Sequence, residues 1–270
     1  MMDVSVIIVS YNTLKLTIQS IKSVLNEGSG LKKEIIVVDN GSTDGSVAAI
    51  RNFQFPISNF QLKIIENKSN LGFAKANNQG IKKAKGKYIL LLNSDTKVKK
   101  NAIERLVDFA YENPEAGAVV PRLLNPDGSV QSSVFRLPTI TRAIKQYWFG
   151  HKGLLDKYYP QGVGPAEIES AVMASFLITP KALREVGPLN ENYFMYYEDL
   201  DYCRNLKQAH LKVYYLPTAE VVHYHGASGK GLIEADNQWR RLIPSSIIYH
   251  GTLEHYLFNF IIWSGQKFRN

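Results

Sequence analysis

The chain has 270 residues, enough for one large hydrophobic core or for two closely fused halves. Hydrophobic residues make up 45% and charged residues 21%, a balance that excludes an intrinsically disordered protein. The net charge of +8 favours an anionic partner, and nucleic acid, anionic lipid and phosphorylated substrates all satisfy that condition.

The first 120 residues alternate between strand and helix patterns. Continuous apolar runs predict buried strands at 4–11, 34–40, 62–65, 88–92 and 116–120. Apolar residues at helical spacing predict helices at 13–25, 73–84 and 104–111. This alternation predicts an α/β fold, a Rossmann-like and mostly parallel sheet with helices on both faces. Ligands of such sheets bind beyond the carboxyl ends of the strands.

The pattern changes near residue 122. Residues 125–128, with the sequence Asn-Pro-Asp-Gly, predict a turn, and residues 139–165 fit no element. Strands are predicted at 171–178, 213–216 and 220–224, and helices at 180–185 and 199–208. We expect a nucleotide-sugar-binding half at 1–121, an acceptor-binding and catalytic half at 122–231 and a helical segment at 232–270. No low-complexity linker separates them, so the halves should form one unit.

The sequence predicts a protein of a reducing compartment. Its single cysteine, Cys203, excludes an intrachain disulfide, so the cytoplasm is the simplest expectation. The first residues lack the basic flank and apolar core of a signal peptide. No uninterrupted apolar run of about eighteen residues predicts a transmembrane helix.

The first candidate site is Asp39-Asn40-Gly41-Ser42-Thr43-Asp44, at the end of a predicted buried strand. A carboxylate there can accept a hydrogen bond from the imide N–H of uracil or thymine. The competing interpretation is an ordinary strand-to-helix turn in which Asp44 caps the helix.

The second candidate is Asn93-Ser94-Asp95, after the strand at 88–92. A carboxylate at a strand end can hold a hard divalent cation that also binds phosphate oxygens. A capping role for Asp95 is the alternative.

The third candidate places Glu198, Asp199 and Asp201 within four residues, between tyrosines and before a helical pattern. Carboxylates at a helix start commonly serve as caps. Neighbouring like charges beside aromatic rings also suit a general base with a shifted pKa.

The fourth candidate is His223-Tyr224-His225, after a predicted strand. An isolated histidine is most often structural, but beside a metal site a neutral imidazole is a credible ligand. Residues 226–230, Gly-Ala-Ser-Gly-Lys, lack the spacing of a P-loop, and no G-x-G-x-x-G follows the first strand. Both absences argue against the nucleotide-binding classes that carry those motifs.

Taken together, these residues resemble glycosyltransferase family 2, especially its rhamnosyltransferase-like branch. The matching stretches occur in the family's order and cover most of residues 3 to 230: VSVIIVSYN, IIVVDNGSTDGS, NLGFAKANNQGIKKAKGKYILLLNSDT, PRLLNPDGSVQSS, FMYYEDLDYC and VVHYHGAS. The resemblance implies the GT-A fold, an inverting single displacement and a nucleoside-diphosphate sugar donor, dTDP-rhamnose or a UDP-sugar. The acceptor would be a glycan or a lipid-linked glycan, in cell-surface polysaccharide synthesis.

The resemblance also implies roles for individual residues. Asp39 matches the base-contacting Asp, and Asp95 matches the last Asp of the metal-binding DxD element, whose first Asp is Asn93 here. Asp199 matches the Asp of the Glu-Asp pair and is the expected base, and Asp201 is the alternative candidate for that role. His223 matches the metal-site histidine, and His225 stays open, with Mg²⁺ or Mn²⁺ as the cofactor. The full set of expected donor contacts is Tyr11, Asp39, Asn40, Asn70, Gly72, Asn77, Asn93, Ser94 and Asp95.

Two other classes of protein compete with this interpretation. One is a catalytically silent protein of the same fold that binds nucleotide sugar or glycan. The other is a nucleic-acid binder, for which the cluster Lys82, Lys83, Lys85 and Lys87 is the strongest feature. That cluster lies at a helix end, a common solvated pattern, so no nucleic-acid partner is expected.

The last segment carries apolar residues at helical spacing between 245 and 268, flanked by Arg240, Arg241, Lys267 and Arg269. Such a helix could dock on an anionic membrane surface, pack on the protein's own core or form a homodimer contact. Because an apolar stripe most often faces a core, the internal interpretation is at least as strong as the membrane one.

Overall fold

A computed structural model describes the backbone of residues 2–53, 61–224 and 235–269, and in the last range the side chains of 242–267. Its strands are Met2–Ser10 (β1), Lys33–Asp39 (β2), Gln61–Glu66 (β3), Gly86–Asn93 (β4), Thr96–Val98 (β5), Ala116–Leu124 (β6), Val134–Phe135 (β7), Ala166–Ile168 (β8), Ser170–Ala171 (β9), Ser175–Ile178 (β10) and Lys212–His223 (β11). Its helices are Leu14–Leu25 (α1), Ser46–Asn52 (α2), Phe73–Lys83 (α3), Ala102–Glu112 (α4), Ile140–Tyr147 (α5), Pro180–Glu185 (α6), Glu198–Gln208 (α7), Ala235–His250 (α8) and Thr252–Arg269 (α9).

One sheet runs through both halves of the chain. Its strand order is β3-β2-β1-β4-β10-β6-β11-β5, with β8 paired to β11. β1 is parallel to both β2 and β4, β2 to β3, and β6 to β11, whereas β10 is antiparallel to β4 and β6. β10 therefore joins the parallel strands of the first half to those of the second.

Both faces of the sheet are covered by helices because its central strands are apolar on both sides. Val4, Val6 and Ile8 of β1 pack in a core that includes residues of α1 and α4. Ile7 points the opposite way, into a core that includes residues of α3, α6 and α7. Successive side chains of a strand face opposite sides, so this apolar run fills both cores. The predicted α/β architecture is confirmed.

Three predicted elements of the second half differ in the structure. The strand predicted at 171–178 is broken: β9 pairs with β7 in a separate two-stranded sheet, and only β10 joins the main sheet. The strands predicted at 213–216 and 220–224 are one strand, β11, with a register shift between Leu216 and Glu220. Pro217 lies in that interval, and its missing N–H interrupts the ladder.

The structure also contains elements that the sequence patterns did not predict. α5 lies inside the unassigned stretch 139–165, where the Thr139 hydroxyl accepts a hydrogen bond from the Arg142 backbone N–H (3.3 Å). α2 and β5 are short elements of the first half that were likewise missed. Among the described residues, no helix combines the length and the apolar character needed to cross a membrane.

Candidate functional site

Polar residues that end β2, β4 and β11 meet at one edge of the sheet. Asp39 is paired with Ser10 and Asn93 with Val9, so both lie beside the end of β1, which Tyr11 follows. β11 ends beside β5, where His223 pairs with Thr96. The Tyr224 backbone N–H then donates to the carbonyl oxygen of Asp95 (2.9 Å). Strand pairing therefore brings together residues from three separate motifs.

Asp39 is a buried acceptor at this edge. Its Oδ1 accepts hydrogen bonds from the backbone N–H groups of Gly41 (3.2 Å) and Ser42 (2.8 Å), which hold the turn after β2. Its Oδ2 is buried and receives no hydrogen bond from the described residues. A buried carboxylate oxygen with an unfilled lone pair is suited to a donor such as an imide N–H.

Asp44 braces the same turn. One of its carboxylate oxygens accepts from the Leu14 backbone N–H at the start of α1 (2.9 Å), and the other accepts from the Ser46 N–H (3.0 Å) at the start of α2. These bonds hold the pKa of Asp44 below its usual range, although partial burial opposes them. The N-cap of α2 is Gly45 rather than Asp44, which instead links the starts of α1 and α2, while Asp39 keeps an unused oxygen.

Asn40 organises the loop before α3. Its Nδ2 donates to Asn70 Oδ1 (2.8 Å), and its Oδ1 accepts from Asn67 Nδ2 (3.0 Å) and from the Leu71 backbone N–H (3.0 Å). The side chain of Asn70 is also engaged, because Oδ1 accepts from the Gly72 N–H (2.9 Å). Both side chains therefore shape the loop through contacts within the protein.

The start of α3 is pressed against the segment that carries the acidic residues. Gly72 has a φ of +87°, and a Cβ there would lie 2.5 Å from the carbonyl oxygen of Phe194. The Phe73 backbone N–H donates to that same oxygen (2.8 Å). Further into α3, Asn77 is buried and donates to the Phe73 carbonyl (3.0 Å). Only glycine fits at 72, for both its conformation and this close approach.

Asp95 and His223 face each other. Asp95 Oδ1 lies 3.5 Å from His223 Nε2, and the residues are 1% and 6% exposed. His223 Nδ1 lies 2.7 Å from Gln131 Oε1, and Gln131 Nε2 donates to Asn125 Oδ1 (2.9 Å). Because Gln131 Oε1 can only accept, His223 donates from Nδ1, and in the neutral ring the lone pair of Nε2 then faces the carboxylate.

Asp95 Oδ1 and His223 Nε2 can both donate an electron pair, and the hydrogen bond from His223 to Gln131 orients the ring. Such an arrangement is suited to form part of a cation site. Within the described residues there is no group of three or more His, Cys, Asp or Glu arranged to hold a metal. Asn93, which occupies the position of a further carboxylate in the resemblance, adds no charge. Ser94 is buried and accepts a hydrogen bond from the Thr13 hydroxyl (3.1 Å). His225 and the glycine-rich stretch 226–230 lie outside the described residues.

The three carboxylates of the third motif have different surroundings at the start of α7. Asp201 is 5% exposed and forms an ion pair with Arg204 (2.5 Å). Asp199 is half-buried, and its Oδ1 accepts from the Leu200 backbone N–H (2.8 Å). Glu198 is buried, and its Oε2 receives no hydrogen bond from the described residues.

These surroundings separate the acidities of the pair. Burial raises the pKa of Glu198, and the neighbouring charge of Asp199 raises it further. Burial also raises the pKa of Asp199, while the Leu200 N–H and the charge of Lys157 lower it. An aspartate with a raised pKa is a stronger base than an exposed one, and it still ionises before its glutamate neighbour.

Residues 5–162, more than half of the chain, match the sequence model described as glycosyl transferase family 2. The chain belongs to glycosyl transferase family 2. Among curated relatives of this glycosyltransferase, the N-acetylglucosaminyl-diphospho-decaprenol L-rhamnosyltransferase of Mycobacterium tuberculosis is 28% identical over 212 residues, which are 72% of this chain and 67% of that protein. The low-salt glycan biosynthesis hexosyltransferase of Haloferax volcanii is 26% identical over 226 residues, 82% of this chain and 67% of the relative.

Solved structures share the fold of this glycosyltransferase. GalNAc-T7, crystallised with UDP, GalNAc and Mn²⁺, superposes with a TM-score of 0.63 at 18% identity, over 82% of this chain and 44% of that chain. S. aureus TarS in complex with UDP-GlcNAc superposes with a TM-score of 0.60 at 17% identity, over 97% of this chain and 70% of that chain. At these identities the likeness shows the fold alone, which is the GT-A fold.

Sequence reasoning missed Gln131, a residue of the candidate site. Gln131 lies in a stretch of the resemblance, PRLLNPDGSVQSS, but nothing in its local pattern marks it as a partner of His223. The two residues are 92 positions apart, so only the pairing of the strands shows their contact.

Proposed function

We propose that the chain is an inverting glycosyltransferase. It would move a sugar from dTDP-rhamnose or a UDP-sugar to a glycan or lipid-linked glycan during cell-surface polysaccharide synthesis. The observation that carries the proposal is the meeting, in a family 2 chain, of a buried acceptor at Asp39 with the facing pair Asp95 and His223. The segment that leads to Glu198 and Asp199 contacts the start of α3, where the Phe73 N–H donates to the Phe194 carbonyl.

In the proposed reaction, Asp199 takes the proton of an acceptor hydroxyl. The acceptor oxygen attacks the anomeric carbon, and the bond from that carbon to the diphosphate oxygen breaks with its electron pair leaving on the diphosphate. The configuration inverts in one displacement, so no side chain of the enzyme has to form a covalent bond. Asp39 would hold the nucleobase. Glu198, which is buried beside Asp199, would keep water away from the Asp199 carboxylate.

The facing atoms of Asp95 and His223 fit a divalent cation, Mg²⁺ or Mn²⁺, whose other ligands would be diphosphate oxygens. Such a cation neutralises charge that develops on the leaving group. Support comes from the GT-A neighbour crystallised with Mn²⁺ and from the orientation of His223 by Gln131.

The choice of donor and acceptor follows the relatives. A rhamnosyltransferase that acts on a diphospho-decaprenol glycan supports dTDP-rhamnose and a lipid-linked acceptor. The fold neighbour bound to UDP-GlcNAc supports a UDP-sugar as the second candidate. Both nucleotides carry the imide that Asp39 would contact.

We further propose a peripheral contact between α9 and an anionic membrane, where a lipid-linked acceptor is presented. One face of α9 packs on α5 through Phe258, Ile261 and Ala143. Another face is exposed and apolar, with Leu253 at 85% exposure, and consists of Leu253, Tyr256, Leu257, Phe260 and Trp263. The internal and membrane interpretations of this helix therefore apply to different faces of it.

The surroundings of this apolar face favour an anionic bilayer over a second copy of the chain. Lys267 Nζ lies 5.2 Å from the ring centre of Trp263, so a cation borders the aromatic end of the face. Exposed Trp148 donates to Ser264 Oγ (3.0 Å), which places the end of α5 beside α9, with exposed Lys145 and Lys152 near it in the sequence. Aromatic rings bordered by lysines are typical of helices that lie in a membrane interface.

The decisive experiment is a transfer assay with a panel of nucleotide sugars and a soluble analogue of a lipid-linked glycan. Each donor is tested with Mg²⁺, with Mn²⁺ and with excess chelator. Transfer from dTDP-rhamnose or a UDP-sugar with inverted anomeric configuration supports the proposal. Tight nucleotide binding without turnover of any donor would instead identify a catalytically silent binding protein.

A further inference from the structure

The turn before the carboxylate pair has an unusual backbone. Tyr196 and Tyr197 have φ values of 71° and 70°, a left-handed backbone conformation that residues other than glycine rarely adopt. They directly precede Glu198 and Asp199 in the sequence. Two consecutive residues in this conformation persist only where their surroundings hold them. Residues 195–197, which we call the tyrosine turn, must therefore be held by neighbouring groups.

The tyrosine turn is held by the last turns of α8. Ser245 is buried, and its hydroxyl donates to the carbonyl oxygen of Met195 (2.8 Å). The Tyr197 ring lies 5.4 Å from the ring of Tyr249 and 6.1 Å from that of His250. The Tyr197 hydroxyl is hydrogen-bonded by Ser246, which holds back the rise that burial causes in the pKa of this phenol.

A second set of contacts joins α8 to α7, the helix that begins with the carboxylates. Arg204 of α7 donates to the backbone carbonyl of Tyr249 (2.8 Å), and its guanidinium lies 4.0 Å from the centre of the Tyr249 ring. The same guanidinium pairs with Asp201 (2.5 Å). Tyr249 therefore touches both sides of the Glu198–Asp199 pair, the tyrosine turn before it and α7 after it.

We propose that residues 245–249 of α8 position the catalytic carboxylates by clamping the tyrosine turn. The inference rests on the proposed role of Asp199 as the base. α8 lies beyond residues 5–162, the part that matches the family model, as does α7 with its carboxylates. Ser245 and Tyr249 act through the turn and would not touch substrate, which makes them positioning residues.

The clamp has a consequence for pH dependence. The charged and titratable groups around Asp199 are Tyr197, Glu198, Lys157 and Cys203, with the Leu200 N–H as a hydrogen-bond donor. Their balance and the burial of the turn keep the pKa of Asp199 raised. If the turn loosens, water reaches the carboxylate and its pKa falls towards the ordinary value. The acidic limb of the rate profile then moves to lower pH.

The test compares Tyr249→Leu with Tyr249→Phe, which keeps the ring, and with Tyr111→Leu, the same change at an exposed tyrosine of α4. Steady-state transfer to a soluble acceptor is measured across pH, with nucleotide affinity by calorimetry. Tyr249→Leu should lower kcat by about 10- to 100-fold, the scale expected when a catalytic group is misplaced by about 1 Å, with unchanged nucleotide affinity. Its acidic limb should move to lower pH, and the other two variants should behave as wild type.

Ser245→Ala removes a single hydrogen bond and serves as the second variant if Tyr249→Leu does not fold. It should lower kcat in the same direction, by a smaller factor. Variants that lose thermal stability but keep the wild-type kcat and acidic limb would overturn the clamp. A wild-type protein that transfers no sugar would refute the proposed function instead. An active wild type that Asp199→Asn inactivates would leave the proposed function standing, whatever the clamp variants do.

Discussion

Asp199 should be the single residue on which turnover depends most. It is half-buried at the start of α7, whereas Asp201 is already paired with Arg204. Asp199→Asn removes the base and keeps the size of the side chain, so we expect kcat to fall by about two to four orders of magnitude. Donor affinity, measured by calorimetry, should barely change. Asp108→Asn, at an exposed aspartate of α4, is the matched control.

The pH profile gives a further check on the same residue. A base works only when it is deprotonated, so the rate should fall as pH falls through the pKa of Asp199. Burial raises that pKa above its ordinary value of 3.8, which places the acidic limb above the usual range of an exposed aspartate. Near-normal turnover of Asp199→Asn would reject the assignment, and Asp201→Asn would be measured next.

Asp39 should determine affinity for the nucleotide. In Asp39→Asn the Oδ1 acceptor for the Gly41 and Ser42 N–H groups can remain, while the buried Oδ2 becomes an amide donor that opposes an imide N–H. Losing a hydrogen bond to a charged group costs about 1.5–3 kcal/mol, or roughly a 10- to 100-fold weaker Kd for UDP or dTDP. Calorimetry measures this Kd directly, and an unchanged value would mean that the nucleobase does not contact Asp39.

At the scale of elements, the orientation of His223 at the end of β11 depends on Gln131 in the loop that follows β6. Gln131 orients His223, and removal of such an outer hydrogen bond typically weakens metal affinity or activity by about 10- to 100-fold. We therefore expect Gln131→Leu to need a correspondingly higher Mn²⁺ or Mg²⁺ concentration for half-maximal transfer. Gln19→Leu is the control, because the Gln19 side chain donates to the Tyr224 hydroxyl (2.9 Å) rather than to the His223 ring. Full activity of the wild type in excess chelator would contradict the metal requirement itself.

The packing of α3 ties the loop before it to the segment that leads to Glu198 and Asp199. The carbonyl of Phe194 accepts from Phe73, and Asn78 donates to the carbonyl of Leu189 (2.8 Å) while accepting from its N–H (3.0 Å). These contacts hold the connection between α6 and α7 against α3, the helix that follows the loop of Asn70 and Gly72. The basic residues Lys82 and Lys83 are exposed at the other end of α3, away from the site, which agrees with a solvated helix end.

At the scale of the whole molecule, the exposed face of α9 should govern binding to lipid surfaces. Replacing Tyr256, Phe260 and Trp263 together with serine removes aromatic area that is exposed in the folded chain, so stability should change little. Co-sedimentation with vesicles that contain anionic lipid should be lost in this variant and should weaken with salt for the wild type. Tyr111→Ser, at an exposed aromatic of α4, is the control.

The outcome of that experiment distinguishes the occupants of the face. Binding to anionic vesicles by the wild type but not by the triple variant supports a membrane contact. No binding at low salt would contradict it. A concentration-dependent dimer that the triple variant abolishes would assign the face to a second copy of the chain.

Local sequence patterns were enough to predict the architecture of the first half and the position of its polar residues. Apolar runs and helical spacing are local patterns, so β1, β2 and β4 and the helices α1 and α3 were predicted within a few residues of their bounds. Asp39 ends the buried strand β2 and Asp95 lies two residues beyond β4, and the carboxyl ends of parallel strands share an edge. Their convergence could therefore be foreseen without the structure.

The partners of these residues depend on the three-dimensional fold and could not be predicted from local patterns. The contact of Asp95 with His223, the orientation of His223 by Gln131 and the clamp of Ser245 on Met195 join residues that are distant in sequence. The different surroundings of Asp199 and Asp201, which are two positions apart, depend on the packing of α7 and on Arg204. Sequence patterns record the period and composition of each segment, whereas a pKa and a hydrogen-bond partner depend on what the fold places beside it.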